Sequence, residues 1–217
     1  MKKINLLFIV FFSIKSICLA QNVSIGNQVW CTKNLNVSKF RNGDPIPEAK
    51  TDEEWKKAAE NKQPAWCYYN NNPANAEKYG KIYNGYAVRD SRGLAPVDYH
   101  IPTDRDWGLL ADYLGLNMAG FKMKSKYGWS GFRRVGEIFS GNGSNSSGFS
   151  GTSGGNRASN GAFSSIGERC SWWTYAEYKP KNVSLKSFGD RLFLGTAAQL
   201  GEGCYVRCVL DNASPNE

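Results

Sequence analysis

The chain has 217 residues, of which 41% are hydrophobic and 13% aromatic, and its formal net charge at pH 7 is +8. The lysines and arginines are scattered, with no run longer than a pair, so the sequence argues against a nucleic-acid-binding protein. The length favours one domain with a substantial hydrophobic core.

The start of the chain has the pattern of a secretory signal peptide. Two lysines precede an apolar run from Leu6 to Ile14, and small residues lead to a cleavage position after Ala20. We therefore predict a signal peptide over residues 1–20 and a single domain over residues 21–217, exported to the periplasm or the cell surface. The apolar run, of roughly ten residues, is shorter than a membrane helix requires, so no transmembrane segment is predicted. Lipidation of Cys18 is an alternative that the bulky residue before it disfavours.

A strand or hairpin and a short helix are predicted first. Gly26 and Asn27 are turn residues between two apolar stretches, which is typical of a hairpin. A helix over Asp52–Glu60 follows, because Thr51 can accept a hydrogen bond at its N-terminus and Trp55 lies on its apolar face.

An asparagine-rich loop, Asn70–Asn75, separates two predicted strands, Trp66–Tyr69 and Tyr79–Val88. Asparagine tolerates turn conformations, and the proline within this loop breaks sheet pairing. The amides of such a loop can bind a ligand or calcium, although a plain polar turn is the more frequent outcome. The candidate ligand-binding residues here are Asn70, Asn71 and Asn72.

The sharpest local pattern predicts a helix between Thr103 and Gly115. Thr103 and Asp106 have the spacing of a capping box, and apolar residues then recur at helical intervals. Asp104 and Asp106 suggest a metal or acid–base site, but acidic residues are favoured in the first turn of any helix. We therefore predict no metal site, and we interpret His100, the one histidine of the chain, as a packing residue.

A strand with one basic face is predicted over Ala119–Trp129, because lysines alternate there with other residues. A long loop follows over Ser130–Asn156. Loops of this length are usually functional or pinned by their own packing. The later part of this loop, which ends at Asn156, is therefore a second candidate ligand-binding segment.

Two adjacent tryptophans, Trp172 and Trp173, follow a coil rich in Gly, Ser and Asn and predict a buried strand. Neighbouring residues of a strand point to opposite faces, so one indole belongs to a core and the other faces a second layer, a loop or a ligand. A further strand pair is predicted within residues 183–194. A last strand, Tyr205–Leu210, is expected to pair with the first.

The chain resembles the Fibrobacter succinogenes major paralogous domain in a series of motifs that stand in the family's order: VWCTKNLNV, RNGDPIP, WCYYNNNP, YGKIYNGYAV, GLAPVDYHIPTDRDW, the paired tryptophans and VRCV. The resemblance implies an α+β, C-type-lectin-like fold with small antiparallel sheets, two helices, long loops and adjacent terminal strands, related to formylglycine-generating enzymes. It implies no settled activity and no cofactor. The short calcium-dependent sugar-binding motifs of true C-type lectins do not occur in the sequence.

The cysteines of the predicted mature chain are disulfide candidates in an exported protein. They are Cys31, Cys67, Cys170, Cys204 and Cys208. Their spacing does not decide the connectivity. Many members of the resembling family carry a cysteine before the HIPT motif that is expected to bridge the terminal cysteine, and this chain lacks it. The resemblance therefore suggests Cys67 as the partner of Cys208, with Cys170 and Cys204 as a second pair and Cys31 outside both.

The sequence supports a noncatalytic binding or structural module of the bacterial cell envelope, whose partner is a surface protein or a glycan. A place as accessory subunit of an outer-membrane assembly is compatible with this hypothesis. The alternative is an oxidative enzyme that uses Cys204 and Cys208. At about 3.3 Å per residue these cysteines would lie roughly 13 Å apart on a regular strand, which opposes both joint chemistry and a shared metal ion.

Overall fold

The computed structural model describes residues 21–211, so the predicted signal peptide, residues 1–20, lies outside the described residues. The described chain is an α+β structure of small sheets with few helices, as predicted. Its helices are α1 (Asp52–Glu60), α2 (Ala76–Tyr79), α3 (Gly85–Val88), α4 (Asp104–Leu114) and α5 (Ala119–Met123). Helices α1 and α4, with 9 and 11 residues, are the two longest of these.

The first sheet joins the two ends of the described chain. Its strands are β1 (Asn22–Ile25), β2 (Gln28–Cys31), β5 (Tyr99–His100) and β14 (Val209–Leu210), in the order β1-β2-β14-β5. Strands β1 and β2 form the predicted hairpin around Gly26 and Asn27, with Ile25 opposite Gln28. Val209 pairs with Trp30 on one side and with His100 on the other. The predicted pairing of the terminal strands is therefore confirmed.

The second sheet is larger and contains the paired tryptophans. Its strands are β3 (Trp66–Cys67), β4 (Ile82–Asn84), β8 (Gly154–Arg157), β9 (Phe163–Ile166), β10 (Arg169–Thr174), β11 (Lys181–Lys186), β12 (Phe193–Ala197) and β13 (Gly203–Cys204). The order is β12-β11-β10-β8-β13-β4-β3, and β9 pairs with β8. Strand β10 pairs antiparallel with β11 along its whole length and parallel with β8 at one position. The predicted late strand pair is confirmed as β11 and β12.

Strand β10 separates two hydrophobic clusters. Trp172 belongs to the first cluster and Trp173 to the second, and both are fully buried. The Trp172 indole donates to Asn34 Oδ1 at 2.8 Å, and the Trp173 indole donates to the Tyr83 carbonyl at 2.7 Å. The prediction that the two indoles face opposite layers is confirmed. Since both layers are core, neither ring is available to a ligand.

The two longest helices begin where the sequence predicts. Thr51 accepts a hydrogen bond from the Glu54 amide at 3.1 Å and so caps α1. At α4 the capping box is complete, because Thr103 accepts from the Asp106 amide and the Asp106 carboxylate accepts from the Thr103 amide. The buried face of α4 consists of Trp107, Leu110, Ala111 and Leu114.

The prediction of a strand over Ala119–Trp129 is wrong, because residues 119–123 form helix α5. The alternating lysines do not mark a basic surface. Lys124 is buried, and its ammonium donates to the carbonyls of Lys186, Ser187 and Gly189 at 3.4, 3.3 and 3.1 Å. Lys122 and Lys124 donate hydrogen bonds to backbone carbonyls, so the alternation of lysines in the sequence does not indicate a strand with one basic face.

Three further predictions are right only in part. Tyr79–Val88 is a strand only over β4, after which the Asn84 side chain accepts from the Ala87 amide and starts α3. The last predicted strand is regular only over β14. The predicted loop, residues 130–156, contains a separate two-stranded sheet. Its strands are β6 (Phe132–Arg134) and β7 (Glu137–Phe139).

Candidate functional site

The Asn70–Asn75 loop is held by a buried arginine of the second sheet. Arg157 is fully buried and donates to Asn71 Oδ1 at 3.2 Å, to the Thr51 carbonyl at 3.0 Å and to Asp52 Oδ1 at 2.9 Å. Its guanidinium also lies 4.3 Å from the centre of the Phe163 ring. Asn71, which was predicted to bind a ligand, therefore fixes this loop to the start of α1.

The other predicted asparagines make hydrogen bonds within the domain or lie at its surface. Asn72 accepts a hydrogen bond from the Ala74 amide at 3.0 Å, which caps a local turn. Asn156 lies on β8, where its side chain accepts from the Ser164 hydroxyl of the neighbouring strand at 3.4 Å. Asn70 is exposed, with a left-handed backbone at φ 53°. Asn70 and Asn71 lie in a short turn that packs against β8, the strand of Asn156, and the side chains of Asn71, Asn72 and Asn156 accept hydrogen bonds from within the domain.

A second buried arginine joins the terminal motif to the start of the chain. Arg207 donates to Asn34 Oδ1 at 2.9 Å and to the carbonyls of Cys31 and Phe149 at 2.9 and 2.7 Å. Burial lowers the pKa of Arg207 to about 10. Sequence analysis missed both arginines, because their partners lie up to 176 positions away along the chain.

The members of each predicted cysteine pair belong to different hydrophobic clusters. Cys67 and Cys170 belong to the first hydrophobic cluster, whereas Cys204 and Cys208 belong to the second, and no disulfide joins these four cysteines. Burial raises the pKa of the Cys67 and Cys170 thiols to about 12, and it raises the pKa of Cys204 and Cys208 as well. The thiolate that an oxidative reaction requires is disfavoured at each of the four positions.

His100 lies between two carboxylates. Its Nε2 is 3.3 Å from Asp106 Oδ2, and its Nδ1 is 2.6 Å from Asp211 Oδ1. The hydrogen bond with Asp106, aided by the one with Asp211, raises the pKa of His100 against the opposing effect of burial. Burial opposes ionisation of Asp106, but hydrogen bonds from His100 and Thr103 hold the pKa of Asp106 well below its ordinary value. The histidine thus connects β5, α4 and the end of β14.

The hairpin of β6 and β7 carries exposed apolar side chains, and we call it the exposed hairpin. Val135 at its turn is 96% exposed, and Ile138 is 71% exposed. The rings of Phe132 and Phe139 stack on one face, with centroids 5.7 Å apart. Among the described residues, β6 and β7 pair only with each other. A lone two-stranded hairpin is marginally stable in water, so a partner surface would stabilise this one.

The turn of the exposed hairpin contains an unfavourable residue. Val135 has a φ of 50°, a left-handed conformation that β-branched residues rarely adopt, and Gly136 follows with a φ of 84°. Such turns favour Asn-Gly or Asp-Gly. Sequence analysis missed this hairpin because Val-Gly carries no turn signal and the flanking residues do not alternate between apolar and polar.

An open groove of about 520 Å³ lies beside the first sheet. The residues that line it are Ser24, Ile25, Tyr113, Leu114, Lys122, Ser146 and Ser147. Two of these come from the long loop that was predicted to bind a ligand. Tyr113 is 67% exposed, and the Lys122 ammonium donates to the Leu114 carbonyl at 2.7 Å. The groove combines hydroxyls with one aromatic face, and we call it the hydroxyl groove.

Residues 21–211 contain neither a metal-binding cluster nor a membrane-spanning helix. No group of three or more His, Cys, Asp or Glu side chains in this part of the chain could hold a metal ion. No helix among these residues is long and apolar enough to cross a membrane.

The fold defines an α+β protein of small sheets, with terminal strands paired and loops anchored by buried arginines. A family model for the Fibrobacter succinogenes major domain matches residues 23–210, and the chain belongs to this family. No curated protein and no solved structure matches the chain.

Proposed function

We propose that the protein is an exported, noncatalytic binding module of the bacterial cell envelope, which docks on a partner protein through the exposed hairpin. It would serve as an accessory component of an outer-membrane assembly. The observation that carries this proposal is the apolar surface of the hairpin, on which the side chains of Val135 and Ile138 are exposed to solvent. Arg133 and Arg134 are exposed beside them. Exposed apolar residues with arginine are typical of protein interfaces.

The backbone of Val135 supports a role in binding. A valine held at positive φ costs free energy, on the order of 1–3 kcal/mol, and strain of this kind is concentrated at functional sites. Asparagine would relieve the strain but would remove the apolar tip. The presence of valine is therefore better explained by a contact with a partner than by the stability of the hairpin.

The groups that could perform chemistry are engaged elsewhere, which supports a noncatalytic role. Both nitrogens of His100 face carboxylates, and the buried guanidiniums of Arg157 and Arg207 bind loops. The oxidative alternative depends on Cys204 and Cys208, and burial raises the pKa of both thiols. These environments favour structural roles.

The test is capture of an envelope partner by the tagged protein and two matched variants. Val135→Asn removes the apolar tip, whereas Val97→Asn makes the same change at another exposed valine, which is 64% exposed. We expect wild type and Val97→Asn to retain the same membrane protein and Val135→Asn to lose it. Equal capture by all three proteins would refute the role of the hairpin.

Glycan recognition is a second candidate, favoured by the hydroxyl groove. Aromatic faces stack on sugar rings, and serine hydroxyls and a lysine can hydrogen-bond to sugar hydroxyls. A glycan array would be read with wild type and Tyr113→Ala, with and without calcium. Signals that disappear in Tyr113→Ala would support the groove as a sugar site. Identical arrays for both proteins would oppose it.

We also propose that the fold is C-type-lectin-like. Its support is the pairing of β2 with β14, the two longer helices and the long connections between strands. An experimental structure compared with C-type lectins would test this assignment. A different order of strands around β14 would refute it.

A further inference from the structure

Cys31, the last residue of β2, lies opposite Cys208, which immediately precedes β14. Val209 pairs antiparallel with Trp30, so the next residues along, Cys208 and Cys31, form the following pair. The Cys31 amide donates to the Cys208 carbonyl at 3.0 Å, which shows that the pairing continues to this position. We propose that Cys31 and Cys208 form a disulfide that links the end of β2 to the residue before β14.

The geometry of directly opposed residues fits this bond. In antiparallel pairs such residues have Cα atoms about 4.5–5.5 Å apart, within the range of about 4.4–6.8 Å found for disulfides. Their side chains leave the sheet on the same face. Both cysteines belong to the second hydrophobic cluster, and both are buried. Burial raises the pKa of Cys208, and the nearby Cys31 adds to that rise.

The other described cysteines are arranged differently. The Tyr205 amide donates to the Ser171 carbonyl at 2.9 Å, so Cys204 runs beside β10. Cys204 nevertheless belongs to the second cluster, whereas Cys170 on β10 belongs to the first. Cys67 also belongs to the first cluster, where the nearby Arg157 partly offsets the effect of burial on the pKa of its thiol. A bridge between Cys67 and Cys208 would have to join residues of different clusters. Cys170 lies close enough to Cys204 to contribute to its raised pKa, but the two side chains belong to different clusters.

The bond would form by exchange with a dithiol–disulfide oxidant. One cysteine of the pair loses its proton and attacks the disulfide of the oxidant, which gives a mixed disulfide. The second cysteine then loses its proton and displaces the oxidant, which leaves with two electrons as a dithiol. Because Cys31 and Cys208 are buried in the folded domain, this exchange takes place before the strands close. The inference rests on the proposed export, since cytosolic thiols are kept reduced.

The first experiment tests the pair independently of location. The purified chain is refolded in a glutathione redox buffer, its remaining thiols are alkylated in denaturant, and it is digested without reduction for mass spectrometry. We expect one linked species that joins the Cys31 and Cys208 peptides, with Cys67, Cys170 and Cys204 alkylated. A different linkage, or alkylation of Cys31 and Cys208 as well, would overturn the proposal.

The same mapping on protein isolated from the native cells tests export separately. A Cys31–Cys208 link in the cells supports both the disulfide and the proposed location. A link that forms on refolding but is absent in the cells would contradict the proposed export while leaving the pairing intact.

Thermal unfolding with and without reductant gives a second readout. The link would close a loop of about 180 residues, which predicts that reductant lowers the Tm by roughly 10 °C. In Cys208→Ser the reductant should have no effect, whatever the stability of that variant. In the matched variant Cys67→Ser the effect should persist. A reductant effect that remains in Cys208→Ser would refute the assigned pair.

Discussion

Arg207 connects the last motif of the chain with two distant backbone segments. It supplies hydrogen bonds to the carbonyls of Cys31 and Phe149 and to the Asn34 side chain. Its guanidinium also lies 4.4 Å from the centre of the Phe149 ring. None of the described carboxylates forms an ion pair with it. The residue therefore stabilises the fold through directional bonds and ring contact.

Replacing this arginine should destabilise the protein strongly. In Arg207→Met two buried carbonyls lose their donor, and we expect the free energy of unfolding to fall by about 2–4 kcal/mol. Denaturant unfolding measures this change. The exposed Arg133→Met serves as the control and should change it by less than about 0.5 kcal/mol. Equal losses in the two variants would contradict the structural role of Arg207.

A substitution at the tip of the exposed hairpin should have the opposite effect on stability. Val135 has a backbone φ of 50°, and asparagine tolerates this conformation better than valine. We expect Val135→Asn to raise the free energy of unfolding by about 1 kcal/mol. Val97→Asn should leave it nearly unchanged. A loss of stability in Val135→Asn would show that the turn differs from the one described.

At the scale of elements, His100 makes the contact among β5, α4 and β14 depend on pH. The groups that face its ring are Asp106 and Asp211, and their hydrogen bonds raise its pKa above the ordinary 6.5. Because the folded pKa is the higher one, the stabilisation is complete below pH 6.5 and is lost as pH rises through the raised pKa. Asp106, whose pKa is lowered, stays ionised throughout this range.

Urea unfolding at a series of pH values from about 6 to 9 would measure this dependence. The wild type should lose stability toward the alkaline end. His100→Asn should lack this part of the pH dependence, because the side chain no longer titrates. An unchanged pH profile in His100→Asn would assign the effect to other groups.

Helix α5 and the β11–β12 connection are joined by Lys124. Its ammonium is the donor to three carbonyls between Lys186 and Gly189. We expect Lys124→Met to speed amide hydrogen exchange in residues 187–192 while strand β10 stays protected. Lys126→Met, changed at a more exposed neighbouring lysine, is the control. Unchanged exchange in Lys124→Met would show that other contacts hold this connection.

Local patterns predicted those elements whose cause is also local. The α4 capping box and the hairpin at Gly26 and Asn27 depend on residues within a few positions, and both were found. The opposed faces of Trp172 and Trp173 follow from strand geometry alone. Hydrogen bonds between distant residues carry no such signal. For this reason the lysine pattern around Lys124 predicts a strand where the chain forms helix α5.

The candidate site was less predictable for the same reason. The sequence suggests that the side-chain amide of Asn71 could bind a ligand. In the structure its oxygen accepts a hydrogen bond from Arg157, which is 86 positions away. The exposed hairpin was not predicted, because a valine occupies a turn position where Asn or Gly is usual. Sequence patterns indicate favourable local conformations. They therefore do not predict a turn in which Val135 adopts an unfavourable left-handed conformation.

At the scale of the whole molecule, β14 connects the ends of the domain and contributes to its main core. Val209 is buried in the first cluster between β2 and β5. In Val209→Asp a charge without a partner would enter this core, and we expect the unfolding free energy to fall by more than about 4 kcal/mol. Leu210→Thr, at a half-buried neighbour, should cost much less. Circular dichroism during thermal unfolding compares the two variants. Similar melting curves for both would contradict the position of Val209.

Because Val209 pairs with Trp30, the first sheet cannot be completed until nearly the whole chain has been synthesised. At about 5–20 residues per second, the ribosome needs roughly 10–35 s to reach the strand that completes the first sheet. Until then the early hairpin has an unsatisfied edge next to a large indole, which is the kind of surface that aggregates. The nascent polypeptide is therefore expected to depend on holdase chaperones more than a protein with mostly local contacts would.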